Sequence, residues 1–404
     1  MKTILAIILT IIFSAQTSNT QWERMDSGMG AADIRSFAVN SSGLFAGTCG
    51  NNVYFSTNNG MSWNINSFSL HGRCFTALAV NGNITYLGIF GGPVGTDGVY
   101  LSDNNGTNWF MTSLNGKSIN ALGINGNSIF AGTDNFGIYR SYDNGVNWSP
   151  GGLNNRTILS LATNGDNIYA GTVSYGLYIS SNNGSNWVQT SINNMSVASI
   201  AVSEYRIFAG TTSNGVYYSS DYGNSWIQTS LDTVTQVTSI IVSGNNVFAG
   251  SFYSGFSVSS NNGVSWVQKN EGLPSSTSIR RLLVTNDYIF AGTSGSGVFR
   301  RPLSEVIGIH SISNEVPEVF FLSQNFPNPF NPSTKIHFEI ADAKSVELRV
   351  YDSQGKEIAQ LCKGQLQPGT YEVNWNALDF PSGVYFYRLN AGAFSQTKKM
   401  VLIK

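Results

Sequence analysis

Short apolar runs alternate with polar positions along most of the chain, separated by turns rich in Asn and Gly, a period-2 pattern that predicts many half-buried strands. One unit recurs. It is an apolar strand, an Asn-Gly type turn, a Phe-Ala-Gly-Thr strand, a short loop, a Gly-Val-Tyr strand, an Asn-Asn-Gly turn, and a strand opening on Trp. The third strand returns around Tyr54, Tyr100, Tyr139, Tyr178, Tyr217, Phe256 and Phe299, and the Trp at 63, 109, 148, 187, 226 and 266. In the first strand of each unit the large residues are Phe37, Leu78, Leu122, Leu161, Ile200, Ile240 and Leu282. The position before them holds Ser36, Ala77, Ala121, Ser160, Ser199, Ser239 and, breaking the series, Arg281. One bulky and one small face suit sheets stacked face to face.

A period near 40 residues with four strands per unit predicts the blades of a β-propeller. The seventh unit, from Ile279, carries Phe290-Ala291-Gly292-Thr293 and Gly297-Val298-Phe299 but no Trp strand. Trp22-Glu23-Arg24-Met25 precedes the first unit and can supply that strand, so the ring is expected to close between the N-terminal segment and the last blade, leaving no open edge. Before each Trp stands Ser-x-Asn/Asp-x-Gly-x-x-Trp, starting at Ser56, Ser102, Ser141, Ser180, Ser219 and Ser259. The Asn or Asp side chain is expected to bond nearby N–H groups, with Gly at positive φ and the Trp covering the hairpin.

This motif resembles the Asp-box repeat of sialidases, xyloglucan-cleaving hydrolases, sortilin-type receptors and photosystem II assembly factors, over about Trp22 to Pro302. The resemblance implies a seven-bladed propeller and no particular chemistry, since the box is a structural turn in all those families.

After the last unit the grammar changes. Asn314 and Pro317 mark a linker over 306–319, and short alternating strands follow at Lys335–Ile340, Val346–Tyr351, Tyr371–Trp375, Gly383–Leu389 and Lys398–Ile403, predicting a small Ig-like β-sandwich at 320–404. Leu322-Ser323-Gln324-Asn325-Phe326-Pro327-Asn328-Pro329-Phe330-Asn331-Pro332, Val350-Tyr351-Asp352 with Gly355, Ser382-Gly383-Val384-Tyr385 and Lys398-Lys399-Met400-Val401 resemble the type A C-terminal sorting domain of the type IX secretion system. That resemblance implies passage through the outer membrane, handling by the secretion machinery, and release or attachment at the cell surface. At the other end, Met1, Lys2, the apolar run Ile4 to Phe13 and Ser14-Ala15 read as a signal peptide over 1–15, cut after Ala15, which leaves 16–305 to the propeller. No Cys follows the run, which disfavours a lipid anchor.

Composition narrows the functions. Of the 404 residues 11% are charged and 12% aromatic, with 43 glycines and a net charge of -1, so no excess of Lys and Arg exists to neutralise a nucleic-acid backbone. No later segment reads as a transmembrane helix, and the chain is expected to be a monomer. His71, His310 and His337 are scattered without Cys-x-x-Cys spacing, so neither a metal nor a cofactor is expected. A sialidase would need converging arginines and a Tyr–Glu pair, and the only adjacent pair, Glu204-Tyr205, falls in a turn. Asp97 and Asp134, in loops after second strands, are the candidates for a carboxylate-pair glycan hydrolase, against the alternative that both are turn residues.

The leading expectation is a non-enzymatic binding or scaffold module. Loops before the first strands and after the second strands share one face, which gathers Arg35, Arg73, Arg156, Arg280 and Arg281 with Asp97, Asp134, Phe136, Tyr175, Phe252 and Tyr253. Ring closure makes the arginines of units one and seven neighbours, and the second unit carries the longest loops. Arginine clusters suit carboxylate or sulfate groups, and aromatics suit sugar or peptide stacking, so an acidic glycan or acidic peptide is the expected ligand. Against this, the same arginines could pair with Asp33 and Asp287. Cys49 and Cys74 fall on one face of adjacent blades, where an oxidising compartment permits a bridge, while Cys362 is expected to stay free.

Overall fold

Each of the first six repeats forms four antiparallel strands in sequence order, as in Ile158–Asn164, Asn167–Thr172, Leu177–Ser180 and Val188–Gln189. The computed structural model describes residues 21–404 except 51, 67–71, 92–94, 204–205, 232–235, 245, 308, 314–315, 367 and 379, and the side chains of 309–313 and 363–365. The expected signal peptide, His71 and Glu204-Tyr205 lie outside the described residues.

Seven such blades make the ring. In the seventh, Ile279–Val284, Tyr288–Thr293 and Val298–Pro302 are completed by the N-terminal strand Glu23–Arg24, with Glu23 opposite Arg300 and Arg24 opposite Phe299. Blades 1 and 2 are joined by the register pair Cys49 and Cys74, linked in a disulfide with Cα atoms 3.9 Å apart. Cys362 is the free cysteine, and burial pushes its thiol up to about 12.

The Phe-Ala-Gly-Thr motif follows from this stacking. Second strands are buried on both faces, because each blade has a neighbour on either side; Phe45, Phe130, Phe208, Phe248 and Phe290 are all fully enclosed. The Gly leaves room for the first strand of the next blade: a Cβ on Gly88, Gly132, Gly210 or Gly250 would press into Ile119, Ile158, Val237 or Ile279, and one on Gly292 of blade 7 into Ile34 of blade 1. The ring is therefore closed by packing as well as by hydrogen bonds. The Thr bonds the carbonyl four residues on, as Thr133 Oγ1 does to Gly137 at 2.7 Å and Thr293 Oγ1 to Gly297 at 2.8 Å. Among the small first-strand residues, Ser36 and Ser160 donate to the Phe75 and Val197 carbonyls of the next blade. At Gly171 the added Cβ would strike the Val197 backbone oxygen as well as Ser160 Oγ. Gly171→Ala should cost about 1–3 kcal/mol by overpacking, read as a lower thermal midpoint; an unchanged midpoint would contradict this packing.

Each box turn is held by side-chain bonds, three of which recur in all six boxes at 3.0 Å or less. In blade 3, Ser141 Oγ donates to Asp143 Oδ1 at 2.7 Å, Gly145 N donates to Ser141 Oγ at 2.9 Å, and Asn147 N donates to Asp143 Oδ1 at 2.9 Å. Two consecutive residues are left-handed, not the Gly alone: Asn59 and Gly60 have φ of 53° and 78°, Tyr222 and Gly223 59° and 91°. Asn fills the first position in five of six boxes because its side chain tolerates that conformation. Trp148, Trp226 and Trp266 donate to the glycine carbonyl of their own box, whereas Trp22, Trp63 and Trp187 reach the preceding blade at Lys269, Met25 and Gly151.

The two Asp boxes carry a pH signature. Hydrogen bonds lower Asp143 to about 2, led by the Asn147 amide, and Asp221 to about 2, led by the Ser225 hydroxyl. A carboxyl lowered by folding stabilises above its unfolded pKa and loses that contribution as pH falls through its folded one. Asp143→Asn with Asp221→Asn should therefore flatten the melting-temperature profile between about pH 4 and pH 2. Parallel profiles would contradict the assignment.

The C-terminal domain is a sandwich of two four-stranded sheets, in the order Ile309–Ser313, Gly369–Asn376, Ser333–Ile340, Phe321–Leu322, and Glu357–Leu366, Lys344–Tyr351, Gly383–Ala391, Phe394–Leu402. Alternating residues such as Ile336, Phe338, Leu348, Val350, Tyr387 and Leu389 fill its core. One correction concerns the linker expected at 306–319, where Ile309–Ser313 is an edge strand paired with Thr370–Val373. That pairing is remote in sequence, and the nearby Asn and Pro disguised it. The short helix Leu303–Val306 joins the two domains and buries Leu303 and Val306 on blade 7, where Lys269 Nζ donates to the Glu305 and Val306 carbonyls.

Candidate ligand-binding face

First strands enter from one face of the ring, and their opening residues lie beside the loops that follow the second strands. Ring closure puts Arg35 of blade 1 and Arg280 of blade 7 on the same carboxylate. Arg35 Nη2 stands 2.7 Å from Asp33 Oδ2, and Arg280 Nε 3.9 Å from Asp33 Oδ1. The Arg280 guanidinium also lies 4.4 Å over the Phe252 ring, and Phe252 meets Tyr253 edge to face at 4.6 Å. Tyr253 is 68% exposed. Burial, then the Arg35 charge, lowers the Arg280 pKa.

Arg281 points inward. It lines a cavity of about 170 Å³ at the ring centre, walled by first strands of all seven blades, including Ser36, Thr76, Asn120, Ser160, Ser199 and Thr238. Its Nη1 donates to the carbonyls of Arg280 at 2.9 Å and Thr238 at 3.1 Å. Burial, followed by the charges of Arg35 and Arg280, lowers it to about 10. The cluster thus sets three guanidiniums against one carboxylate.

Other expected residues sit apart. Arg73 is only 4% exposed and pairs at 3.4 Å with Asp97, whose carboxylate also accepts from Gly91 N and Ser118 Oγ. Its expected place among the arginines of the face is corrected on that ground: its charge is paired inside blade 2, beside the disulfide. Asp134 accepts from Thr157 Oγ1 at 2.9 Å. Phe136 and Tyr175 are half exposed and each is covered by a cation, Lys117 Nζ at 4.4 Å and the Arg156 guanidinium at 3.6 Å. Lys117 was missed by sequence reasoning, although it stands two residues before Ile119 as Arg156 does before Ile158 and Arg73 before Phe75. Aligning the repeats on those first-strand residues would have found it. Among the described residues Asp287, the other expected arginine partner, makes no ion pair with them; Asp33 does.

These features define a class of protein: a closed seven-bladed β-propeller followed by a C-terminal β-sandwich. Residues 324–404 match the family model described as the secretion system C-terminal sorting domain, so the chain is handled by type IX secretion and sent to the cell surface or released. Among the described residues no helix is long and apolar enough to cross a membrane. No curated protein matches the chain. Among solved structures it is similar to YCF48 bound to D1 peptide, at 16% identity and TM-score 0.57, over 70% of this chain and 95% of that one. It is also similar to the extracellular domain of the putative hybrid two component system BT4673 from B. thetaiotaomicron (15% identity, TM-score 0.57, 84% of this chain and 47% of that one). A third is the GH74 enzyme of Niastella koreensis (15%, TM-score 0.50, 69% and 43%). The chain spans under half the length of the last two. At these identities the likeness shows the propeller fold alone.

Proposed function

We propose that the protein is a non-enzymatic binding or scaffold module, exported to display its propeller and taking an acidic ligand at the face of Arg35, Arg280 and Tyr253. The observation that carries this reading is the excess of guanidinium over carboxylate around Asp33, beside an exposed aromatic, in a chain of net charge -1. Arginine binds carboxylates through paired N–H donors, and the aromatic gives a stacking surface for a sugar ring or a peptide. A propeller of this fold solved with a bound peptide supports a binding role. The alternative, glycan hydrolysis by Asp97 and Asp134, is weakened because Asp97 is committed to Arg73 and two further donors, leaving it poorly placed to deliver a proton.

Arg35→Ala with Arg280→Ala should abolish retention on an acidic polysaccharide column at low salt, while the exposed Arg388→Ala in the sorting domain should not. Equal retention of the two variants would reject the face. Detection of hydrolysed glycan that disappears in Asp134→Asn would reject the non-enzymatic reading.

A further inference from the structure

Six of the seven blades place Ser or Ala at the first-strand position that faces the next blade, and the seventh places Arg281 there. A small residue evidently satisfies the packing, so the guanidinium is not needed to build the ring. Its presence carries a cost. The side chain is held in the wall of the central cavity, its Nη1 bonds reach only neutral carbonyls, and among the described residues no carboxylate lies within ion-pair distance of it. Asp33, the acid of the neighbouring arginine cluster, is engaged by Arg35 and Arg280. A cation drawn from water without a counter-charge destabilises the folded state, and an anion entering beside it would reverse that penalty.

We propose that the propeller's central cavity is a carboxylate-binding subsite, in which Arg281 receives the acid group of a single acidic sugar unit from a ligand lying across the Arg280–Tyr253 face. This deepens the acidic-ligand reading and rests on it. About 170 Å³ is the space of five or six waters, room for one small acid group and its immediate carbons but not for a folded chain. The wall of the cavity mixes polar side chains such as Asn120 and Ser160 with alkyl ones such as Leu78, Leu122 and Leu282, which suits a sugar ring with its hydroxyl edges and C–H faces. Phe252 and Tyr253, braced by Arg280, stand where the rest of a sugar chain would emerge.

The test is thermal melting of the full chain with sodium glucuronate, glucose, or the dipeptide Ala-Ala, on wild type and Arg281→Ser. Because Ser is the residue of four other blades at this position, Arg281→Ser is expected to fold. Two results together support the subsite: glucuronate, but not glucose, raises the wild-type midpoint, and Arg281→Ser raises the ligand-free midpoint while losing the glucuronate shift. A lower ligand-free midpoint in Arg281→Ser would show a structural arginine and overturn the proposal. So would a glucuronate shift that survives in Arg281→Ser, or a wild type that responds to Ala-Ala and not to glucuronate, which would make the ligand a peptide terminus. Polysaccharide retention separates the two readings: if it persists while no small acid shifts the midpoint, the subsite fails and the face stands; if both are absent, both fail.

Discussion

Trp22→Ala should destabilise the propeller by about 3–5 kcal/mol, the range for losing a large buried aromatic. Trp22 is 2% exposed, packs edge to face on Phe256 with ring centroids 5.1 Å apart, and donates Nε1 to the Lys269 carbonyl at 2.8 Å. Its own amide bonds the Glu271 carbonyl at 2.7 Å. These contacts fasten the outer strand of blade 7 to blade 6, so their loss opens the ring where its two chain ends meet. The repeat taken alone, with one such Trp per blade, leads to the expectation of an equal effect from Trp187→Ala. The structure separates the two, because Trp187 is only half-buried, and its removal should cost less. Denaturant melts of the three proteins, followed through the propeller transition, give the comparison. If Trp22→Ala melts with wild type, the N-terminal strand does not hold the ring closed.

The blades were legible because their determinants are local and repeated. Gly at the second-strand crossing, Ser and Asn or Asp in the box, and the Trp after it all mark the same place in successive units, so each copy confirms the others. Closure by Trp22-Glu23-Arg24 could be read from what the seventh unit lacked. The charges were harder to read. Arg73 and Arg35 look alike in the sequence, yet one turns into the blade to meet Asp97, 24 residues on, and the other lies at the face with Asp33, two residues before it, a difference set by loop geometry. Ile309–Ser313 was hidden by distance, its partner strand lying some sixty residues further on, and the left-handed residue before each box glycine by Tyr222, which takes that conformation without the amide side chain of the Asn in the other five boxes. Arg281 was visible as a break in the small-residue series, but only the cavity around it shows what that break could serve.

Removal of residues 309–404 should abolish delivery of the propeller to the cell surface, a loss of function where Trp22→Ala is a loss of stability. The cut is placed before Ile309 because that strand belongs to the sandwich, so a deletion from 320 would leave an unpaired strand on the propeller. The sorting domain has its own core, including Phe338, Val350, Trp375 and Tyr387, separate from the blade clusters, so the ring is expected to survive its loss. The match over 324–404 and the sandwich it folds into carry the prediction. Protease shaving of intact cells of the native host, read with an antibody to the propeller, is the most direct measurement of the central claim, that this is a propeller exported by its C-terminal domain. The full chain should be digested or found in the medium and the truncated chain protected behind the outer membrane; equal digestion of both would contradict it.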